Sequence, residues 1–178
     1  MTVEPLDDAL DDALDDLASW PSPRVLVLGI GNPLLGDDGI GLRMLDALEA
    51  RGPWPDNVRL VDGGTWGMSL LPDVIDAERL LVLDAVTTGR EPGAIVRGED
   101  DAVPRLYSRP PSPHQVDLRE VLAAAELLGA LPSPLVVVGV EPEAIAPDDL
   151  RIGLSPAAEG ALARAVDESE RALRSLCG

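Results

Sequence analysis

The chain has 178 residues, 46% of them hydrophobic, which is enough material for a core of its own. Its formal net charge is −18, with 32 acidic residues against 14 basic ones, all of them arginine, and such a field repels nucleic acid and anionic membrane. No apolar run reaches the roughly 20 residues of a membrane span, no signal-peptide pattern opens the chain, and the single Cys177 excludes an intramolecular disulfide, so a cytoplasmic protein is expected.

Residues 1–22 read as an acidic extension, and 23–178 as one domain. Within the extension a four-residue unit recurs, and Leu6, Leu10, Leu14 and Leu17 fall on one helical face. Residues 1–20 hold seven acids and no base, so the rest of the chain is acidic as well. The pattern fits a solvated segment, helical or disordered, or a docking helix for a partner's groove. Pro21-Ser22-Pro23 closes it.

The apolar run Val25-Leu26-Val27-Leu28 predicts a buried parallel strand over 24–28. A glycine-rich turn follows over 29–41, then a helix over 39–51 with Ile40, Met44, Leu45 and Leu48 on one face. Such strand–turn–helix units usually hold phosphate on backbone N–H groups. Here the turn carries Asp37 and Asp38, which repel phosphate and call instead for a cation or a proton. A second strand is expected over 58–61, with Asp62-Gly63-Gly64-Thr65 turning out of it into a helix near 66–76. A third strand over 79–83, apolar on both faces, ends at Asp84. Residues 94–96 read as a fourth strand and 104–113 as a proline-rich loop. A helix over 116–129 and a fifth strand over 135–138 follow. Ser155 is a good N-cap, with Pro156 at N1, for a C-terminal helix. This alternation predicts a mostly parallel sheet with helices on both faces.

In open parallel sheets, sites form outside the carboxyl ends of the strands. Three predicted strands lead there into acids: Asp37 and Asp38, Asp62, and Asp84. The chain's one histidine, His114, stands where the proline-rich loop ends. Two carboxylates and an imidazole suit a divalent transition metal such as nickel or zinc. Each residue also has an ordinary reading. Asp37 or Asp38 caps the following helix, Asp62 forms a turn, Asp84 binds local backbone N–H groups, and His114 is a surface residue.

Five landmarks occur together: Gly29-Ile30-Gly31-Asn32 with the acid pair and glycine, Asp62-Gly63-Gly64-Thr65, Asp84-Ala85, Ser112-Pro113-His114-Gln115, and the late Val138-Gly139-Val140-Glu141-Pro142-Glu143 and Gly153-Leu154-Ser155-Pro156 stretches. In this order they resemble the hydrogenase maturation endopeptidases, over about residues 24–175. The resemblance implies a three-layer α/β/α sandwich, phosphorylase/hydrolase-like, on a twisted, mostly parallel five-stranded sheet. It implies a monomer that removes a C-terminal peptide from the nickel-loaded large-subunit precursor of a [NiFe] hydrogenase. It assigns metal binding and catalysis to Asp38, Asp84 and His114, with nickel carried by the substrate or another divalent metal in the isolated protein. Asp37, Asp62, Gly63, Gly64 and Thr65 then stand beside these ligands or in the substrate groove. Many relatives carry Glu where this chain has Asp38, one methylene shorter. The alternative on the same scaffold is a nickel chaperone or checkpoint protein that binds without cutting. Neither a Gly-x-Ser-x-Gly nor a His-Glu-x-x-His pattern is present.

Overall fold

The computed structural model of the chain describes residues 21–107, 113–143, 145 and 150–178, with the side chains of 113–117 outside that description. Residues 1–20 of the acidic extension lie outside the described residues, as does Ser112. Five strands form one sheet in the order β2-β1-β3-β5-β4. They are β1 (Val25–Ile30), β2 (Val58–Gly64), β3 (Arg79–Ala85), β4 (Ile95–Glu99) and β5 (Leu135–Val140). β1, β2, β3 and β5 run parallel, and β4 closes one edge antiparallel to β5.

Alternate side chains of the strands feed two separate cores, as a pleated strand requires. Val25, Val27, Leu81, Leu83, Val136 and Val138 pack on one face under α1 (Ile40–Glu49) and α5 (Pro156–Cys177). Leu26, Leu28, Leu80, Val82 and Val137 pack on the other under α2 (Leu71–Asp76), α3 (Val103–Leu106) and α4 (Pro113–Leu127). The result is the expected three-layer α/β/α sandwich. β1 and β5 are buried at every position, and each fully buried Val or Leu contributes about 1.5–3 kcal/mol. With no phenylalanine in the chain, aliphatic side chains carry both cores.

Several boundaries depart from the sequence reading. Asp62, Gly63 and Gly64 belong to β2 rather than to a turn after it, and Asp84 lies inside β3. The strand extends past Asp62 because a bulge, with Gly29 opposite Asp62 and Ile30 opposite Gly64, keeps the pairing with β1 going. Within the expected loop over 104–113, one helical turn, α3, forms, with Pro104 in its first turn. α4 begins at Pro113, so His114 stands in a first helical turn instead of a loop exit. Ser155 caps α5 through its side chain, accepting from Ala158 N at 3.2 Å, as its sequence position suggested.

Candidate active site at the carboxyl ends of the strands

The glycine-rich turn after β1 folds back on itself. Gly31 has φ of +133°, and a Cβ there would lie 1.9 Å from the Asp38 carbonyl oxygen, so only glycine fits. The Asn32 side-chain oxygen accepts from Leu34 N at 3.0 Å, and Asn32 N donates to Asp38 Oδ2 at 2.9 Å. The turn ends in a 3₁₀ segment, Gly36–Gly39, that carries both acids. Neither carboxylate caps it or α1, so the ordinary helix-cap reading does not hold. Gly41 then sets the start of α1 directly on the sheet: a Cβ there would lie 2.3 Å from both the Ile30 and Leu83 carbonyl oxygens. That contact draws the acid pair in over the ends of β1 and β3.

The two adjacent acids have different surroundings. The Asp37 carboxylate accepts from Ser155 N at 2.6 Å, from Ser155 Oγ at 2.8 Å and from Glu143 N at 2.8 Å. It therefore ties the turn after β1 to the segments that follow β5 and precede α5. Asp38 is 0% exposed, held by Asn32 N. Asp84 is likewise 0% exposed and accepts from Ala85 N at 2.7 Å. β1 and β3 are neighbours in parallel register, Gly29 opposite Leu83, so Asp84 sits one residue beyond the last matched pair. The 3₁₀ segment with Asp38 packs against β3. Two carboxylates are thus taken out of water at adjoining strand ends, an arrangement that favours a bound cation or a shared proton. Both are hard oxygen donors of the kind a divalent ion accepts.

Asp62 differs from these: it lies on edge strand β2 and is exposed, as is Thr65. Gly63 is buried, and Gly64, at φ of +40°, offers its carbonyl to Gly31 N at 3.1 Å. This segment therefore shapes the edge of the mouth. His114 stands in the first turn of α4, and its side chain lies outside the described residues.

Two residues the sequence reading passed over belong to this end of the sheet. Glu141 directly follows β5 and is buried, with its carboxylate accepting from Thr88 N at 2.8 Å, Thr88 Oγ1 at 2.6 Å and Gly89 N at 2.9 Å. Burial pushes its pKa up, but these bonds outweigh burial and hold it below the usual glutamate range. It followed the same rule as Asp84, an acid at the end of an apolar strand. Tyr107 is the chain's one tyrosine and is buried beside Asp84. Burial first, then the Asp84 carboxylate, raises its hydroxyl well above the ordinary phenol range, so it faces Asp84 as a neutral group. A lone tyrosine in a chain without phenylalanine was the available signal.

Around the mouth stand exposed apolar side chains. Trp66 is 67% exposed, and Leu34 and Met68 are exposed beside it on the turns after β1 and β2. Gly36 N donates to Arg151 O at 2.7 Å and Arg151 N to Leu34 O at 2.9 Å, so exposed Leu150 and Ile152 flank the same rim. Cys177 lies at the opposite end of the sheet: the Arg79 guanidinium, at the start of β3, donates to the carbonyl of the neighbouring Leu176. Burial raises the Cys177 thiol, against the pull of Arg79 and Arg174. Its place and its protonation both remove it from the acid mouth.

The three-layer sandwich is the fold of a known class of maturation proteases. The sequence model described as hydrogenase maturation protease matches residues 42–172. The hydrogenase 2 maturation protease of Escherichia coli K12 is 42% identical over 85% of this chain and 91% of its own. The hydrogenase expression/formation protein HupD of Rhodobacter capsulatus is 42% identical over 85% of this chain and 72% of its own. The solved hydrogenase maturating endopeptidase HybD of Escherichia coli superposes with a TM-score of 0.79 at 42% identity, covering 85% of this chain and 93% of that one. The chain belongs to the hydrogenase maturation protease family, and it is a hydrolase of the peptidase kind.

Proposed function

We propose that this protein is the endopeptidase that removes a C-terminal peptide from the nickel-loaded large-subunit precursor of a [NiFe] hydrogenase. The observation that carries the reading is the pair of fully buried carboxylates, Asp38 and Asp84, at the adjoining ends of β1 and β3. The chain's one cysteine, Cys177, is at the far end of the sheet from them. The nickel belongs to the substrate. Asp38, Asp84 and His114 complete its coordination and so admit only precursor that has received its metal. Water then adds to the scissile carbonyl, the C–N bond breaks, and the leaving amine takes a proton. The metal's part is to polarise that carbonyl or to acidify the attacking water. Asp37, Asp62, Gly63, Gly64 and Thr65 shape and hold the groove around it. The exposed rim of Leu34, Trp66, Met68 and Ile152 gives the precursor an apolar surface to meet.

The test is the intact mass of the nickel-loaded large-subunit precursor from the same genome after incubation with catalytic amounts of the protein. The expected outcome is a discrete C-terminal loss, with many precursor molecules cut per protein molecule, and no loss with Asp38→Ala or His114→Ala. An unchanged mass together with a stable one-to-one complex overturns the protease reading in favour of a nickel chaperone. Normal cutting by both variants overturns the site assignment.

A further inference from the structure

On the face of the sheet that carries α2, α3 and α4, cover is uneven. α4 packs against α2 and the 3₁₀ segment before it, Gly67–Leu70. The β5 and β4 side is left to α3, a helix of four residues. Between α3 and the other flank of α4 lies a groove of about 810 Å³, with Val103, Pro104, Leu122, Ala123, Leu131 and Leu135 among its walls. Ala123 is exposed within it, and Leu127, one helical turn further along α4, is 88% exposed. The groove runs from the amino end of β5, marked by Ser133 and Leu135, to Tyr107, whose ring separates it from Asp84.

The chain enters the described structure at this spot. Ser22 Oγ donates to Glu78 Oε2 at 2.8 Å, and the backbone carbonyl of the same Glu78 accepts from Ser133 N at 3.0 Å. Ser133 is itself a wall of the groove. The segment that precedes Ser22 is the acidic extension, whose Leu6, Leu10, Leu14 and Leu17 recur at helical spacing with every aspartate between them. As a helix, residues 6–17 would span about 18 Å, against about 22 Å for the fifteen residues of α4. The few residues between Leu17 and Ser22 reach about 17 Å when extended, which is enough to fold back.

We propose that this groove is the seat of the chain's own N-terminal extension, with the leucine stripe of residues 6–17 laid along α4 and the aspartates turned to water. The proposal does not depend on the activity proposed for the acid mouth. Charge alone works against it. Asp100, Asp101, Glu120 and Glu126 stand on the groove with one cation, Arg119, and the extension is acidic throughout. Docking is therefore driven by apolar contact and opposed by repulsion, so added salt tightens it. A basic partner in the same groove would show the reverse.

The experiment uses the full chain with Cys177→Ser and Ala123→Cys, and follows the rate at which the new thiol is labelled. An extension docked about nine-tenths of the time slows labelling about tenfold relative to the same chain carrying Leu10→Ser and Leu14→Ser. The slowing should increase with salt and be independent of protein concentration. Equal rates with and without the leucines overturn the proposal. Protection that grows with protein concentration also overturns it, because a second copy then fills the groove. Amide exchange over 119–127, with and without the two leucine replacements in a chain that keeps Ala123 and Cys177, gives a second reading. Slower exchange with the leucines present supports the docking, and no difference overturns it.

Discussion

Asp37 and Asp38 are neighbours in sequence with separate duties, and substitution should divide them. Asp37 receives three donors from Ser155 and Glu143. Asp37→Asn points an amide N–H₂ at donors that need an acceptor, so a loss of about 2–4 kcal/mol of stability is expected in chemical denaturation. Asp38, on the 3₁₀ segment after β1, and Asp84, in β3, are buried acids at adjoining strand ends, and neutralising one relieves repulsion between them. Asp38→Asn is expected to leave the denaturation midpoint unchanged or higher while abolishing precursor cutting. A variant that both unfolds early and still cuts would reverse these assignments. Glu141 resembles Asp37 in kind: Glu141→Gln should cost about 2–3 kcal/mol through the lost bonds from Thr88 and Gly89. The sequence made the acids at the strand ends visible, because an acid after an apolar run is conspicuous. It did not reveal which of two adjacent acids turns toward the backbone, since that depends on where a loop 118 residues away returns. Tyr107 was signalled only as a lone tyrosine; its place against Asp84 is set by where the segment after α3 meets β3, not by local spacing.

Among the elements, glycines separate close packing from mere helix interior. Gly41 brings α1 onto the carbonyls of Ile30 and Leu83, with no room for a methyl group. Gly41→Ala must push the helix off the sheet and is expected to cost about 3 kcal/mol or more, at the upper end of overpacking penalties. Gly160, in α5, has nothing within 4 Å of the place a Cβ would take and is exposed. Gly160→Ala is expected to gain about 0.5–1 kcal/mol from helix propensity alone. Equal effects at the two positions, measured by thermal unfolding, would contradict the packing described for α1. All five strands were legible as short apolar runs between turn residues, and α5 was legible from its Ser-Pro start. Strand ends were not. The extension of β2 through Gly64 rests on a bulge against β1, and the reversal of β4 rests on pairing with β5. Both are set by partners far along the chain rather than by local pattern.

For the molecule as a whole, two electrostatic effects act in opposite senses. α5 carries Glu168 and Glu170, which bind Arg97 and Arg51 at 2.6 and 2.7 Å and so fasten the edge strand β4 and the end of α1 to it. Hydrogen bonds from Arg97 and Arg171 hold Glu168 below the usual glutamate range, and Glu141 is depressed as well. A depressed carboxylate contributes stability above its unfolded pKa, near 4.5, and loses that contribution as pH falls further. The melting temperature is therefore expected to fall steeply below about pH 4.5. At neutral pH the balance is different. The ion pairs on α5 are solvent-accessible, and such pairs contribute about 0–1 kcal/mol each. The net charge of −18 is what remains after every arginine is counted against an acid, so it is not offset by pairing. Salt weakens both, but it removes more repulsion than attraction. A melting temperature that rises with added salt at neutral pH is the expected result. A fall with salt would mean that the arginine pairs on α5 outweigh the excess charge, and breaking Arg97–Glu168 by Arg97→Ala would then reduce that fall.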